Sequence, residues 1–183
     1  MRGVPAVCVF CASSDHIDAR YLALAAQVGR ALAAAGLDLV SGGGSVGMMG
    51  AVARAVREAG GHTTGVIPRA LADREVADLA ADVLVVTEDM RERKGVMDNR
   101  ADAFLALPGG IGTLEELLEV WTSRALGMHA KPVVVLDPYG DLAPLRALVG
   151  GLTDTAFVLP AARDAVTWTA SVEEAVHALI GSG

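Results

Sequence analysis

Short apolar runs alternating with longer amphipathic stretches constrain this chain more than any other feature. The runs are Val7 to Cys11, Leu37 to Val40, His62 to Ile67, Val83 to Thr87, Ala103 to Leu107, Pro132 to Leu136 and Val166 to Trp168. They are nearly continuous in apolar residues, without the polar alternation of a half-exposed strand. A strand of that kind is covered on both faces, as in a parallel sheet. Helical periodicity marks Ala19 to Ala35 (ended by Gly36), the stretch from Gly47 to about Ala59, Met90 to Arg100, Thr113 to Leu126, Leu142 to Val149 and Ser171 to Ile180. Arg69 to Ala81 is a connector without a clear period. The alternation predicts an α/β fold, a doubly wound parallel sheet. The length of 183 residues, with no repeat and no linker, makes 1–183 a single domain.

Sheets of this kind bind ligands beyond the carboxyl ends of their strands, and two glycine loops fall there. The first runs from Ser41 to Gly47 and matches G-x-G-x-x-G. A dinucleotide fingerprint follows the first strand and is answered by an acidic residue about 20 positions on. Here the loop follows the second strand, and the next strand ends Val66-Ile67-Pro68-Arg69. No Lys-Ser/Thr follows the glycines, so a Walker A loop is excluded too. Two readings remain. Ser41, Gly42 and Gly43 hold a phosphate or ribose, or the loop is a tight turn under a closely packed helix.

The second loop is Leu107-Pro108-Gly109-Gly110-Ile111-Gly112-Thr113-Leu114-Glu115-Glu116. Pro108 and two glycines stop a buried strand, and an amphipathic helix follows at once. Backbone N–H groups at such a turn, beside the positive end of the helix dipole, make an anion site suited to phosphate. Glu115 and Glu116 sit in the first turn of that helix. Thr113 to Glu116 also spells a capping box, so Glu116 serves either as a backbone cap or as an ionised group facing the site. Basic groups crowd another predicted helix start, where Asp89-Met90 precede Arg91, Arg93 and Lys94. Cations are disfavoured there by roughly 0.3–1 kcal/mol each. Lysine occurs only at 94 and 131. The cluster therefore reads as an anion site.

Several function classes are excluded. A formal net charge of −7 argues against a general nucleic-acid surface. No apolar run approaches the roughly 18 residues of a membrane span. Pro5 to Ala12 reads as a strand leading into a polar loop rather than a signal peptide, which predicts a cytoplasmic protein. Cys8 and Cys11 spell C-x-x-C, but three residues apart on a strand they face opposite sides and make no redox pair. His16, His62, His129 and His177 are scattered, so no metal site is expected.

Together these segments resemble the LOG ("Lonely guy") family of cytokinin riboside 5′-monophosphate phosphoribohydrolases. The family's P-G-G-x-G-T-x-x-E is matched by Pro108 to Glu116, and its M-x-x-R-K by Met90, Arg93 and Lys94. Its C-V-F-C-x-S-S is matched by Cys8 to Ser14, and its S-G-G-G-x-x-G-x-M-G by Ser41 to Gly50. The match runs from the first strand to about Pro132. It implies a Rossmann-like homodimer in the cytokinin biosynthesis class. Such an enzyme cleaves the N-glycosidic bond of an adenine nucleoside 5′-monophosphate to free base and ribose 5-phosphate, with no metal or redox cofactor. By position in the family motifs, Arg93 and Glu116 are the catalytic pair. Glu75, Lys94, Gly109, Gly110, Gly112, Thr113 and Glu115 are nucleotide contacts. Relatives also carry a lysine decarboxylase label, for which neither lysine offers a pyridoxal phosphate site. Alternatives are a plain AMP nucleosidase and a non-catalytic carrier of a nucleotide or of molybdenum cofactor. Trp121 to Met128 is the expected dimer segment.

Overall fold

The computed structural model describes residues 5–72 and 77–181. Along the chain these form β1 (Ala6–Phe10), α1 (Ala19–Ala34), β2 (Asp38–Ser41), α2 (Gly47–Glu58), β3 (Thr63–Pro68), α3 (Arg69–Ala72), β4 (Val83–Thr87) and α4 (Met90–Arg100). They continue through β5 (Ala103–Ala106), α5 (Ile111–Ala125), β6 (Val133–Leu136), α6 (Ala143–Asp154), α7 (Pro160–Arg163), β7 (Thr167–Thr169) and α8 (Val172–Ile180). One sheet has the order β4-β3-β2-β1-β5-β6-β7, and every neighbouring pair is parallel. The chain builds outward from β1 to β4, then returns to place β5 on the other side of β1. The crevice beyond β1 and β5 is therefore the switch point of the sheet, where ligands of such folds bind.

The continuous apolar runs are explained by two cores, one on each face. Val7, Val9 and Cys11 point into one with Leu39, Leu105 and Leu136, under α1, α2 and α8. Cys8 and Phe10 point into the other with Val40, Phe104 and Val135, under α4, α5 and α6. Alternate residues of one strand thus serve opposite layers. The two cysteines are free, buried and on opposite faces.

Three departures from expectation are local. Helix α6 runs past the expected end at Val149, through Gly150-Gly151 to Asp154, although each glycine costs a helix roughly 1 kcal/mol. Helix α5 begins at Ile111 with Gly110 as its N-cap, two residues before the expected start. Trp121, at the start of the expected dimer segment, packs within its own chain. It is buried, donates from Nε1 to the Ala162 carbonyl at 2.6 Å and meets Trp168 edge to face. Leu126 and Met128 in the same segment are exposed.

Candidate active site

The switch-point crevice opens as a cleft of about 400 Å³. Ser13 and Ser14 enter it from the loop after β1, Arg93 from α4, and Gly110, Gly112 and Glu116 from the start of α5. Thr113 and Glu115 line it as well. Six of the expected site residues (Arg93, Gly110, Gly112, Thr113, Glu115 and Glu116) therefore share one cavity. Ser13 and Ser14 were not among the expected site residues. Their signal was the polar loop directly after the first strand.

The beginning of α5 is open. Gly110 gives no side-chain cap, and the first helical amide to find a backbone acceptor is Leu114, which donates to the Gly110 carbonyl at 3.1 Å. Gly110, Ile111 and Gly112 are exposed. Amides of that first turn, with the helix dipole behind them, suit a phosphate. Gly109 is required by packing, because a Cβ there would collide with the Thr113 side chain. It borders a neighbouring pocket with Pro108 and Asp141.

Glu116 corrects two expectations. With the helix starting at Ile111, Thr113 and Glu116 do not form a capping box, and Glu116 lies in the second turn. Nor does the helix start hold it firmly as an anion. Burial pushes its carboxyl from an ordinary 4.5 up to about 7, against the opposing pull of Arg93 and Lys94. Glu115 and Glu119 add to the rise. Desolvation here outweighs the neighbouring cations, and the group is poised to exchange a proton near neutrality.

Arg93 is buried, 6% exposed. Its Nε donates to the Val66 carbonyl and its Nη2 to the Gly42 carbonyl, each at 3.1 Å. It makes no salt bridge to Glu116, yet its charge acts on that carboxyl. The guanidinium is a fixed cation seated on the ends of β2 and β3. Lys94 turns away to α5, with Nζ 2.5 Å from Glu115 Oε1 and 2.7 Å from Glu119 Oε2. These two carboxylates raise its affinity for a proton. Its place in the structure is a tie between α4 and α5 rather than a free anion contact. Asp89 caps α4 by accepting from the Arg91 and Glu92 amides, which offsets the crowding of cations at that end.

The first glycine loop does not line the cleft. Ser41, Gly42 and Gly43 are buried. The Gly47 amide at the start of α2 donates to Asp15 Oδ1 at 2.7 Å, and the Met49 amide to the Ala12 carbonyl at 3.2 Å. The anion position of that helix is thus filled by the chain's own Asp15. Gly43 has φ +76° and lies against Val66 and Ile67, while a Cβ on Gly42 would occupy the place of the Arg93 guanidinium. These contacts fit a tight turn, and the loop's Gly42 carbonyl seats Arg93. Glu75 lies outside the described residues. Among the described residues no cluster of His, Cys, Asp and Glu could hold a metal ion.

A parallel doubly wound sheet with an open helix start and a carboxylate at its switch point defines an α/β protein whose crevice suits an anionic ligand. Comparisons narrow this. The family model described as "Possible lysine decarboxylase" matches residues 49–179. The chain is 51% identical over 172 residues to the cytokinin riboside 5′-monophosphate phosphoribohydrolase of Mycobacterium tuberculosis, covering 94% of this chain and 91% of that one. It is 43% identical to an Arabidopsis thaliana protein of the same name, covering 94% and 80%. Among solved structures, the molybdenum cofactor binding protein of Rippkaea orientalis superposes with a TM-score of 0.74 over 100% of this chain and 98% of that one, at 24% identity. That likeness is one of fold. The chain belongs to the LOG family.

Proposed function

We propose that this chain hydrolyses the N-glycosidic bond of cytokinin riboside 5′-monophosphates, that is, N6-substituted AMP, to free base and ribose 5-phosphate. The observation that carries the reading is the placement of Glu116 and Arg93 in one cleft with the uncapped start of α5. The 51% identity to a relative of that name supports it. The 5′-phosphate binds the amides after Gly110, with Gly109 and Thr113 shaping the turn. That fixes the ribose beside Glu116, so remote binding energy positions the reacting bond. As the C1′–N bond breaks, its electron pair leaves with the base nitrogen and positive charge builds on the ribose ring. Ionised Glu116 faces that charge and accepts a proton from the water whose oxygen bonds to C1′. The proton on Glu116 then passes to the departing base nitrogen, which restores the carboxylate, so water is the one other reactant consumed. Arg93 keeps part of the Glu116 population ionised at neutral pH. Glu115 and Lys94 support Glu116 from the rim, and Glu75 is a substrate contact on the strength of the family motif alone.

A pyridoxal-phosphate decarboxylase does not fit these residues. A Schiff-base lysine must shed its proton readily. Lys94 is held protonated by two carboxylates, and Lys131 donates to Asp98 Oδ1 at 3.0 Å. The functional unit is a cytoplasmic homodimer. The apolar Leu118, Leu126 and Met128, exposed along α5 and just after it, offer a face for the second copy. The test of the reading is product analysis with AMP and N6-isopentenyl-AMP side by side. Free base and ribose 5-phosphate from the N6-substituted nucleotide are expected. Intact nucleotide in both reactions contradicts the reading, and cleavage of AMP alone makes the protein an AMP nucleosidase.

A further inference from the structure

A cavity of about 450 Å³ opens at the β7 edge of the sheet, where residues of α5, α6, α7 and β7 meet. Its size suits a small molecule, and it shares no lining residue with the substrate cleft. Trp121 and Trp168 line it, with ring centroids 6.2 Å apart and planes at 72°. Trp121 is held in place, since it is buried and donates from Nε1 to the Ala162 carbonyl. Arg146, Val149 and Gly150 stand at i, i+3 and i+4 of α6 and so share one face of that helix. The Arg146 guanidinium lies over the Trp168 ring, 5.7 Å from its centroid. Among the described residues it pairs with no carboxylate. Arg163, by contrast, is neutralised by Asp164, with Nε to Oδ1 at 2.7 Å and Nη2 to Oδ2 at 3.0 Å. The cavity wall thus carries net positive charge in a chain whose formal net charge is −7. Gly150 lies inside a helix, which glycine weakens. A Cβ there would meet nothing within 4 Å. Packing within the chain therefore does not require this glycine, and what it preserves is open volume in the cavity.

We propose that this cavity is a binding site for a flat aromatic ring carrying one anionic group, a carboxylate or a phosphate. The ring packs against the indoles of Trp121 and Trp168, in the space that Gly150 leaves. Aromatic pairs of this kind gain beyond the area they bury. The anion meets the guanidinium of Arg146, which Trp168 already orients and which has no other charge to answer. A neutral ring would leave Arg146 unpaired beside it. An inorganic anion would leave the indole faces unused. The chemistry that fits is therefore a ring and a charge together. The site stands apart from Glu116 and Arg93, so it does not depend on the hydrolase reading.

Trp121 and Trp168 are the chain's two tryptophans, and neither lines the cleft. Tryptophan fluorescence therefore reports on this cavity. The full chain is titrated with benzoate, phenyl phosphate, benzyl alcohol and inorganic phosphate. A saturable fluorescence change is expected with benzoate or phenyl phosphate, and the better of the two identifies the charged group. Benzyl alcohol and inorganic phosphate should bind about tenfold more weakly or worse. Arg146→Gln should weaken the aromatic anion about tenfold or more and leave benzyl alcohol unchanged. Gly150→Leu fills the cavity. It should abolish the change with a Tm no lower than that of the wild type, because leucine also favours the helix. No saturable change with either aromatic anion overturns the proposal. So does a change that survives both substitutions, which places the ligand elsewhere. Inorganic phosphate binding as tightly as phenyl phosphate also overturns it, since the ring then contributes nothing.

Discussion

The Nη2 of Arg93 donates to the carbonyl oxygen of Gly42 at 3.1 Å, and a side chain at position 42 would stand where the guanidinium lies. A residue of the glycine loop and a residue 51 positions later are thereby one feature. Gly42→Ala is expected to lower turnover by about tenfold or more by expelling the cation, and Arg93→Ala by about a hundredfold. Because the two act through one contact, the double variant should be no worse than Arg93→Ala. Additive losses in the double-mutant cycle would show that Gly42 serves the site in some other way.

Glu116 links activity to stability. Its folded-state pKa, about 7, is raised above the ordinary 4.5. Between those values the folded chain binds a proton that the unfolded chain releases. Stability is therefore favoured below about pH 4.5 and declines as pH rises to 7. The ionised carboxylate costs at most about 3 kcal/mol above that. Glu116→Gln cannot ionise. Its Tm should gain on the wild type between pH 5 and pH 8, while its turnover falls by about a hundredfold or more. A Tm difference that stays constant over this range would place the carboxylate in a wetter setting.

Lys94 gives a prediction of opposite sign. Its charge lowers the pKa of Glu116, while Glu115 and Glu119 raise it. Lys94→Met leaves three neighbouring carboxylates without their shared cation. The acidic limb of the kcat/KM profile should shift to higher pH, so that activity lost at pH 7 is largely regained at pH 9. Stability should change by only about 0.2–1 kcal/mol, because the two carboxylates of the pairs are about half exposed. A uniform loss at every pH would mean that Lys94 binds substrate directly.

The proposed homodimer predicts light scattering at twice the chain mass at micromolar concentration. Leu126→Glu together with Met128→Glu should yield a monomer of unchanged secondary structure, since both side chains are exposed. A wild-type monomer that turns over substrate rejects the dimer.

Most of the sheet was legible because its central strands are buried on both faces and must be apolar throughout, as Ala103 to Leu107 is. The helix after it was legible from Pro108-Gly109-Gly110, which both stops the strand and opens the turn. What escaped depends on partners distant in sequence. Asp15 fills the start of α2 from 32 residues away, which turns a motif that reads as an anion loop into a packed turn. Arg93 and Lys94 are adjacent, yet one is buried under Val66 and Gly42 and the other reaches α5. No local pattern separates them. The two readings left open by Thr113 to Glu116 separate only once the helix start is placed. The capping-box spelling is real, but the helix starts two residues earlier because Gly110 already supplies the N-cap conformation.

In the proposed reaction a 5′-phosphate held at the start of α5 places the glycosidic bond beside Glu116. The most direct test compares kcat/KM for release of adenine or N6-isopentenyladenine from the 5′-monophosphates with that from the free nucleosides. Cleavage of the monophosphates is predicted, with the nucleosides nearly inert and the loss appearing in kcat as well as in KM. Equal rates on nucleoside and monophosphate would contradict the account and remove the role given to Gly109 through Thr113.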